Sequence, residues 1–327
     1  MEKELTIIIP VFKVEAYINK CLDSLIIAPE LMKKLEVLIV NDGTPDNSAE
    51  MSREYVKRFP ETFRQIDKEN GGHGSAWNVG LKEATGKYVR FLDSDDWFTD
   101  LEKLMLDLER CESDIVFNPF VMEYSYENRT EIVDVPLIPD EARIDPSFWG
   151  TSKWGHNSIN FWSTTYRADI LKPLQPLFAE KTMFDDYIIT WAPLVYGRTY
   201  RSLEYPVYHY LIGRPEQSMS SVRQRKGAES YVKCFAKYEE VRSRIPADSI
   251  PLDLLNCIDS SITGYAGFIF SYMIYLPYKR ARTQMRFLWV NYLKQRTSRS
   301  SLMKRYAVLP FPLFYYIEHF RRVILHV

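Results

Sequence analysis

The 327-residue sequence predicts an α/β fold in which a doubly wound, largely parallel sheet carries helices on both faces and a helical region follows it. Two observations lead to this prediction. The first hundred residues alternate short apolar runs with segments of helical periodicity, which is typical of βαβ units. From about residue 225 the chain has the pattern of helices rich in Tyr, Phe and Arg. We therefore place a boundary near residue 222, between a first part, 1–222, and a C-terminal part, 223–327.

The elements of the first hundred residues follow one another as βαβαβαβ. Strands are predicted over Leu5–Ile9, Leu35–Val40, about 63–67 and Lys87–Leu92. Helices are predicted over 14–28, where Pro29 ends the segment, over about 48–58, and from the glycines at 71–72 to about Ala84. Ligands of such sheets bind beyond the carboxyl ends of the strands. The residues to examine first are therefore Pro10 and Val11, Asp42 and Gly43, and Asp93 to Asp96.

The second hundred residues have a mixed pattern that predicts strands and loops around a single helix. Strands are predicted over 114–117, 119–126, 130–135, 199–203 and 206–212, and a helix near 185–196. Further on, residues 260–278 carry no charge, a length that could span a membrane. The Ser, Thr and Gly residues in this stretch make it only moderately apolar. A buried amphipathic helix is therefore favoured over a transmembrane one.

The net charge of −1 conceals two regions of opposite sign. Residues 1–222 hold 24 Lys and Arg against 36 Asp and Glu, whereas residues 223–327 hold 18 against 7. From Lys279 onward there are 11 basic side chains and a single acid, Glu318. This asymmetry predicts contact between 279–327 and an anionic membrane surface, with a solvated basic face on packed helices as the alternative. No nucleic-acid-binding motif accompanies the charge, and the acidic first part would repel a phosphate backbone.

The four cysteines lie far apart and form no CxxC pair. A disulfide framework and a zinc ribbon are therefore not expected, and a reducing cytoplasm fits the sequence. The first residues lack a basic region followed by an apolar core, so we do not expect a secreted protein. The sequence is compatible with a homo-oligomer.

Three carboxylates within four residues follow the predicted fourth strand, in Asp93-Ser94-Asp95-Asp96. Carboxylates this close repel one another unless a cation offsets them, and oxygen ligands suit Mg²⁺ or Mn²⁺. The alternative is that Asp95 or Asp96 caps a helix beginning near Thr99. At the end of the second strand, Asp42 could accept hydrogen bonds from a base or a ribose, or be an ordinary turn aspartate.

A glycine-rich segment, Glu69 to Gly80, precedes a predicted helix. It partly matches a dinucleotide fingerprint, but Trp77 stands where that fold needs a small residue, and no P-loop motif exists in the sequence. The amides of Gly72 and its neighbours could still bind an anion. An ordinary loop at the start of a helix is the alternative.

Two further acids, Asp185 and Asp186, stand where a helix is predicted to open. Either could act as a general base toward a hydroxyl, and a helix cap is the alternative. Further on, His209 is expected to be structural, whereas Arg214, with Ser218 and Ser220 after it, could hold a phosphate.

Taken together, these segments resemble the inverting family 2 glycosyltransferases of bacterial polysaccharide synthesis, which have a GT-A fold. The resemblance runs through Thr6–Phe12, Val40–Ser48, Glu69–Gly80 and Phe91–Trp97, and more faintly through Phe161–Arg167, Phe184–Tyr187 and the Arg214 segment. Four motifs in the right order are more specific than any one of them. One residue departs from the family, because Trp77 stands where an Arg is common.

The resemblance implies a nucleotide-sugar donor, commonly UDP-linked, a metal cofactor, Mn²⁺ or Mg²⁺, and a glycan or lipid-linked acceptor. It assigns the nucleotide-sugar half to about 1–98 and the acceptor half to about 99–222. Asp186 matches the catalytic base, preceded by Asp185, and Asp95 matches the metal ligand. The implied donor-binding residues are Pro10, Val11, Glu15, Asp42, Gly72, His73, Asp93, Ser94 and Arg214. With Arg absent at position 77, the diphosphate charge would be met by His73, Lys68 or Arg214.

Two other functions are compatible with the same sheet and acids. A nucleotidyltransferase that makes sugar nucleotides would need a glycine-rich, basic loop directly after the first strand, where this chain has Pro10-Val11-Phe12-Lys13. A non-catalytic sugar- or membrane-binding module would not need acids at 93, 95 and 186. We expect a cytoplasmic protein that associates peripherally with the inner face of the membrane.

Overall fold

Four parallel strands form the half of the main sheet that carries the first motifs. In a computed structural model, which describes residues 2–135, 142–143, 161–213, 227–246, 248, 250–295 and 300–324, these strands lie in the order β3-β2-β1-β4. Their bounds are β1 (Leu5–Val11), β2 (Leu35–Asn41), β3 (Phe63–Asp67) and β4 (Tyr88–Phe91). All residues of β1, β2 and β4 are buried, because helices cover both faces of the sheet. The four predicted strands are confirmed.

The helices between these strands agree with the prediction except at the first crossover. They are α1 (Ile18–Asp23), α2 (Pro29–Met32), α3 (Ser48–Arg58), α4 (His73–Glu83) and, after β4, α5 (Leu101–Leu108). The single helix predicted over 14–28 is wrong in its extent. Pro29 begins α2 instead of ending a helix, since the first turn needs no amide hydrogen from that position.

The rest of the main sheet is mixed in direction. Strand β10 (Thr164–Arg167) runs antiparallel to β4 and to β6 (Ile115–Phe117), and β11 (Thr199–Ser202) is parallel to β6, with β9 (Ala142–Arg143) beyond it. A short helix, α6 (Ala168–Leu171), follows β10. A second sheet has the order β5-β12-β7-β8, from β5 (Trp97–Phe98), β12 (Tyr208–Ile212), β7 (Phe120–Tyr124) and β8 (Arg129–Val133). The largely parallel α/β sheet is confirmed.

The helix predicted near 185–196 is wrong. The chain there forms two short 3₁₀ helices, Asp186–Thr190 and Ala192–Val195, with Trp191 between them. Pro193 lacks the amide hydrogen that a continuous α-helix would require at that position. Further 3₁₀ turns occupy Phe161–Ser163, Lys172–Leu174 and Met273–Tyr275.

The C-terminal region is helical, as predicted. It contains α7 (Ala228–Ser243), α8 (Leu252–Phe270), α9 (Tyr278–Leu288), α10 (Ser301–Val308) and α11 (Phe311–His319), with π-helical turns at Trp289–Leu293 and Phe320–Ile324. Helix α8 takes up most of the uncharged stretch and buries an apolar face, as the buried-helix prediction required. Among the described residues, none of the helices combines the length and hydropathy that crossing a bilayer requires.

The C-terminal helices pack directly against the segment that carries Asp185 and Asp186. The ring of Phe184 stacks on Tyr231 of α7 at a centroid distance of 4.6 Å, and the ring of Tyr187 stacks on Tyr265 of α8 at 4.4 Å. The Cys234 thiol donates to the Met183 carbonyl at 3.5 Å. The position of the two acids therefore depends on helices that lie well beyond residue 222.

Candidate active site

Three carboxylates gather at the carboxyl end of β4. Asp93, Asp95 and Asp96 can each offer one oxygen such that the three oxygens lie within 4.8 Å of one another. Asp95 and Asp96 are buried, and Asp93 is partly exposed. Burial, followed by the negative charges of Asp95 and Asp93, raises the pKa of Asp96 well above its ordinary value. A divalent cation with oxygen ligands would offset the repulsion among these carboxylates.

The helix-cap interpretation of Asp95 and Asp96 is wrong. The next helix, α5, begins at Leu101 with Asp100 before it, and β5 lies between that helix and the acidic cluster. Asp96 instead accepts a hydrogen bond from the Tyr208 hydroxyl at 2.5 Å and another from the Leu211 amide at 2.8 Å. Strand β12 of the second sheet therefore fixes one member of the cluster.

His73 connects the acidic cluster to the second acidic pair. Its Nε2 lies 3.0 Å from Asp93 Oδ1, and its Nδ1 lies 3.2 Å from Asp185 Oδ1. Burial lowers the pKa of His73, but the charges and hydrogen bonds of Asp185 and Asp93 outweigh it and raise the pKa well above its usual value. Three residues singled out in the sequence, His73, Asp93 and Asp185, thus form one contact chain.

Asp186 stands next to this chain and is only partly exposed. Burial, followed by the charges of Asp185 and Asp93, raises the pKa of Asp186 from 3.8 to about 6, with His73 acting in the opposite direction. At neutral pH this carboxylate is mostly ionised and is basic enough to take a proton from a hydroxyl in a reaction. Asp185 occupies the N-cap position of the following 3₁₀ helix, but its side chain makes no capping hydrogen bond.

The glycine-rich segment binds an anion that belongs to the protein itself. The carboxylate of Asp42 accepts from the amides of Gly71 and Gly72, both at 2.8 Å, and from Lys68 Nζ at 2.6 Å. The amides of Gly71 and Gly72, two of those considered for a ligand anion, therefore donate to Asp42 in this structure. Gly72 adopts a φ of +85°, which favours glycine. Asp42 itself lies at the carboxyl end of β2, where its predicted contact with the donor base stays a prediction.

Gly74 brings α4 close to the segment before the second acidic pair. A Cβ atom at this position would lie 2.2 Å from the Ala179 carbonyl oxygen and 2.2 Å from Asp185 Oδ2. On the same helix, Asn78 accepts from the amides of Leu177 and Phe178. Helix α4 therefore fixes both His73 and the approach of the chain to Asp185.

Trp77 lies in the core, not at the surface of the site. Its side chain is fully buried, and its ring packs against His73 at a centroid distance of 4.0 Å and against Phe91 at 4.6 Å. It also meets the edges of Phe161 and Phe178. Of the three cations considered for the diphosphate, Lys68 is bound to Asp42, His73 bridges two acids, and Arg214 lies outside the described residues.

The remaining predicted donor-binding residues lie near the same edge of the sheet. Pro10 and Val11 are the buried last residues of β1, and Ser94 is buried between Asp93 and Asp95. Glu15 is exposed, and its carboxylate accepts from the backbone amide and the side-chain Nδ2 of Asn47. His209 is structural, as expected, with its ring nitrogens on Glu123 and Thr99.

Tyr208 is a residue of this site that no local pattern in the sequence marks. Its hydroxyl donates to the Asp96 carboxylate and accepts from the Asp93 amide at 3.2 Å. These two partners are 112 and 115 positions away along the chain.

The four cysteines are buried and form no disulfide, in agreement with the prediction that the protein has no disulfide framework.

The sequence and the fold both match known proteins. The family described as Glycosyl transferase family 2 matches residues 6–163. EpsJ of Bacillus subtilis (strain 168), an uncharacterized glycosyltransferase, is 33% identical over 184 residues, which are 55% of this chain and 52% of EpsJ. The chain thus aligns with about half the length of this relative.

Two solved structures share the fold. Residues 1–349 of S. aureus TarS in complex with UDP-GlcNAc superpose with a TM-score of 0.54 at 18% identity, covering 89% of this chain and 90% of that chain. The mannosyltransferase PcManGT from Pyrobaculum calidifontis, in complex with GDP-Man and Mn²⁺, gives a TM-score of 0.53 at 15% identity over 99% and 81% of the two chains. The GT-A fold that the resemblance implies is confirmed.

Proposed function

We propose that this chain, which matches glycosyl transferase family 2 over residues 6–163, moves a sugar from a nucleotide-diphosphate donor to a hydroxyl of a glycan or lipid-linked glycan. The observation that carries the proposal is the contact chain Asp93–His73–Asp185, with Asp186 beside it. This contact chain connects the Asp93–Asp96 cluster, which is suited to bind a cation, with Asp186, which is suited to remove a proton. A transferase needs both groups close to the same reacting carbon.

The donor is proposed to be a UDP-sugar that binds along the carboxyl ends of β1, β2 and β4. Pro10, Val11 and Glu15 would line the nucleoside pocket, with Asp42 near the base and Asp93 near the ribose. TarS was solved with UDP-GlcNAc and PcManGT with GDP-Man, which supports a nucleotide sugar as the class of donor. Gly72, His73 and Ser94 lie at the same edge, and Arg214 is proposed to join them.

The carboxylates of Asp93, Asp95 and Asp96 fit Mn²⁺ or Mg²⁺, and Asp95 is proposed as the principal ligand. The fit rests on three carboxylate oxygens, one from each residue, that lie within 4.8 Å of one another. When bound, the ion would offset the negative charge that develops on the departing nucleoside diphosphate. Tyr208 and the Leu211 amide would hold Asp96 in place.

Asp186 is proposed to act as the general base. It takes the proton of the acceptor hydroxyl while that oxygen bonds to the anomeric carbon, and the bond from this carbon to the diphosphate oxygen breaks on the opposite side. A single displacement of this kind inverts the anomeric configuration. Asp185 orients His73, and Phe184 and Tyr187 hold the segment against α7 and α8. We place the reaction at the cytoplasmic side of the membrane, in line with the four free cysteines.

A thermal-shift screen of UDP- and GDP-sugars with Mn²⁺ tests the donor and the metal together. Stabilisation by one donor class that disappears with EDTA is the expected result, since a ligand at 100 times its Kd stabilises by about 2.7 kcal/mol. Asp95→Ala should remove this metal-dependent stabilisation and abolish transfer. Asp186→Asn should abolish transfer while donor stabilisation remains. Full transfer by either purified variant would reject the role proposed for that residue.

A further inference from the structure

The first residue of α9 contacts helix α11 at the end of the C-terminal region. The ring of Tyr278, the first residue of α9, lies 5.5 Å from Phe311, 5.1 Å from Tyr315 and 5.9 Å from Tyr316 of α11. The Tyr315 hydroxyl donates to the Leu276 carbonyl at 2.9 Å. Tyr278, which lines a groove on α9, therefore stacks on Tyr316, which is exposed on α11, and joins the two surfaces at this point. We call these two surfaces, with the end of α10, the basic–apolar face.

Helix α11 presents apolar side chains on two opposite sides. Phe314 and Tyr315 point inward and are buried. A second apolar stripe, at spacings of three and four residues, points outward and is exposed. Its exposed fractions are 51% for Leu313, 63% for Tyr316, 38% for Ile317 and 53% for Phe320, with Val308 of α10 at 79%. Large apolar side chains grouped in this way mark an interaction surface and not an ordinary solvated helix.

The neighbouring part of α9 is strongly basic. Lys279, Arg282 and Arg286 recur on one side of the helix and line an open groove of about 820 Å³. Exposed Val290 lies in the same groove. Within the described part of the chain, no carboxylate forms an ion pair with any of these three cations. Their positive charge is therefore available to a partner.

The single acid of this region does not reduce the positive charge of the face. Glu318 is buried, and both of its oxygens accept from the Arg305 guanidinium. Arg321 and Arg322 lie 3.7 and 3.9 Å from the same carboxylate. One buried negative charge is thus shared by three partly exposed arginines. A net positive field remains around the exposed apolar stripe.

We propose that the basic–apolar face is a docking surface for a bilayer that contains anionic phospholipid. The cations of this face match the lipid phosphates of a bilayer interface, and the exposed apolar stripe matches the acyl chains beneath them. The tyrosine rings lie between these two parts of the face. A second copy of the chain fits less well, because two such faces would bring like charges together. A nucleic acid would satisfy the cations but leave the apolar stripe in water.

This inference goes beyond the proposed reaction, since docking requires neither donor nor catalysis. It also bears on the position of the active site. The same C-terminal region holds Phe184 and Tyr187 through Tyr231 and Tyr265. A chain docked by its basic–apolar face would therefore keep the base-bearing segment at a fixed place relative to the bilayer, where a lipid-borne acceptor is found.

Vesicle flotation of the purified full chain tests the proposal. The probes are vesicles of phosphatidylcholine alone and of phosphatidylcholine with 30% phosphatidylglycerol, each at low and at high salt. We expect flotation with the anionic vesicles, weakened by salt, because surface charges are screened within about 8 Å at physiological ionic strength. Equal flotation with both lipids, or none with either, would overturn the proposal.

Two sets of variants identify the surface. Arg282→Gln with Arg286→Gln should lower the partition coefficient on anionic vesicles about 25-fold, since each basic residue near such a surface contributes about fivefold. Leu313→Ser with Tyr316→Ser should also release the protein, and high salt should no longer be needed for release.

Matched substitutions on other surfaces serve as controls. Lys33→Gln with Lys82→Gln removes two exposed charges, and Leu106→Ser with Tyr126→Ser removes two exposed apolar groups. These controls should float like the unmodified chain. If the control variants lost as much flotation with anionic vesicles as the test variants, the face would be rejected as the specific docking site.

Two further measurements separate the alternatives. Sedimentation equilibrium reports whether the face joins two copies, and a dimer that the test variants dissociate while flotation is unchanged would overturn the proposal. Tighter binding to an RNA oligonucleotide than to anionic vesicles would overturn it as well. Hydrolysis of a UDP-sugar with Mn²⁺ in the absence of vesicles should be unchanged in all variants. A failure of docking is therefore distinguishable from a failure of the proposed transfer.

Discussion

Replacing Asp186 by Asn should make the protein more stable at neutral pH while it abolishes transfer. In the folded chain, burial and then Asp185 raise the pKa of Asp186 from 3.8 to about 6. The ionised carboxylate is therefore disfavoured by folding. A shift of one pKa unit corresponds to 1.36 kcal/mol, so the ionised form costs about 3 kcal/mol of folding free energy once the pH is above 6. Asparagine, which carries no charge, avoids this cost.

The sign of the pH dependence follows from proton binding. Between pH 3.8 and about 6 the folded chain holds a proton on Asp186 that the unfolded chain has released. The free energy of unfolding therefore falls as the pH rises through this window, by the contribution of this one group. The variant lacks the group, so the stability difference between the variant and the unmodified chain should grow from near zero at pH 3.5 to about 3 kcal/mol at pH 8.

Urea unfolding in the presence of EDTA, at pH 3.5, 5, 6 and 8, measures this difference. Asp169→Asn, at an exposed carboxylate, is the matched control and should change the free energy of unfolding by at most about 1 kcal/mol at every pH. A gain in Asp186→Asn that is the same at all pH values would contradict the assignment of the stabilisation to this ionisation. A loss of stability at pH 8 would show that the carboxylate is favoured by its surroundings.

Three further changes should produce effects of predictable size. With a base of pKa about 6, kcat/KM for transfer should be about tenfold lower at pH 5 than on its plateau above pH 7, and a flat profile would exclude Asp186 as the base. Tyr208→Phe removes a donor to Asp96 and should weaken Mn²⁺ binding about 10- to 100-fold in calorimetry; unchanged affinity would separate Asp96 from the metal. Trp77→Arg introduces the residue that is common in the family at this position. Because the new charge would be buried, the free energy of unfolding measured in urea should fall by about 3 kcal/mol or more. Tighter UDP binding by this variant would contradict the buried position of residue 77.

The first half of the sheet could be predicted from the sequence because each element carries its own local pattern. β1 and β2 are predominantly apolar, and α3 has the periodicity and the N-terminal polar residues of a surface helix. Local patterns failed where one residue changed the backbone geometry. Pro29 is compatible with the first turn of a helix as well as with its end, and Pro193 prevents the continuous helix that the surrounding residues favour.

The residues of the site could be predicted as candidates, but their partners could not. The places of Asp93 after a strand and of Asp185 before a helix mark these two acids as candidates, and the family resemblance adds His73. Their connection through His73 spans 112 positions between His73 and Asp185, and no sequence spacing indicates it. For the same reason, the contact of Tyr208 with Asp96 could not be anticipated, and the sequence left a helix cap as the alternative to a metal site for Asp96. Trp77 could be recognised as a departure from the family, whereas its burial beneath His73 is visible only in the fold.

The packing of Phe184 on Tyr231 and of Tyr187 on Tyr265 also sets the order in which the site becomes complete during synthesis. Asp42 and the Asp93–Asp96 cluster leave the ribosome well before helices α7 and α8. At about 5–20 residues per second, the interval between the acidic cluster and the end of α8 is roughly ten to thirty seconds. A nascent chain therefore acquires its carboxylate cluster before Asp186 has the helices that position it. Chemistry becomes available only when the chain has been made as far as the end of α8 at Phe270.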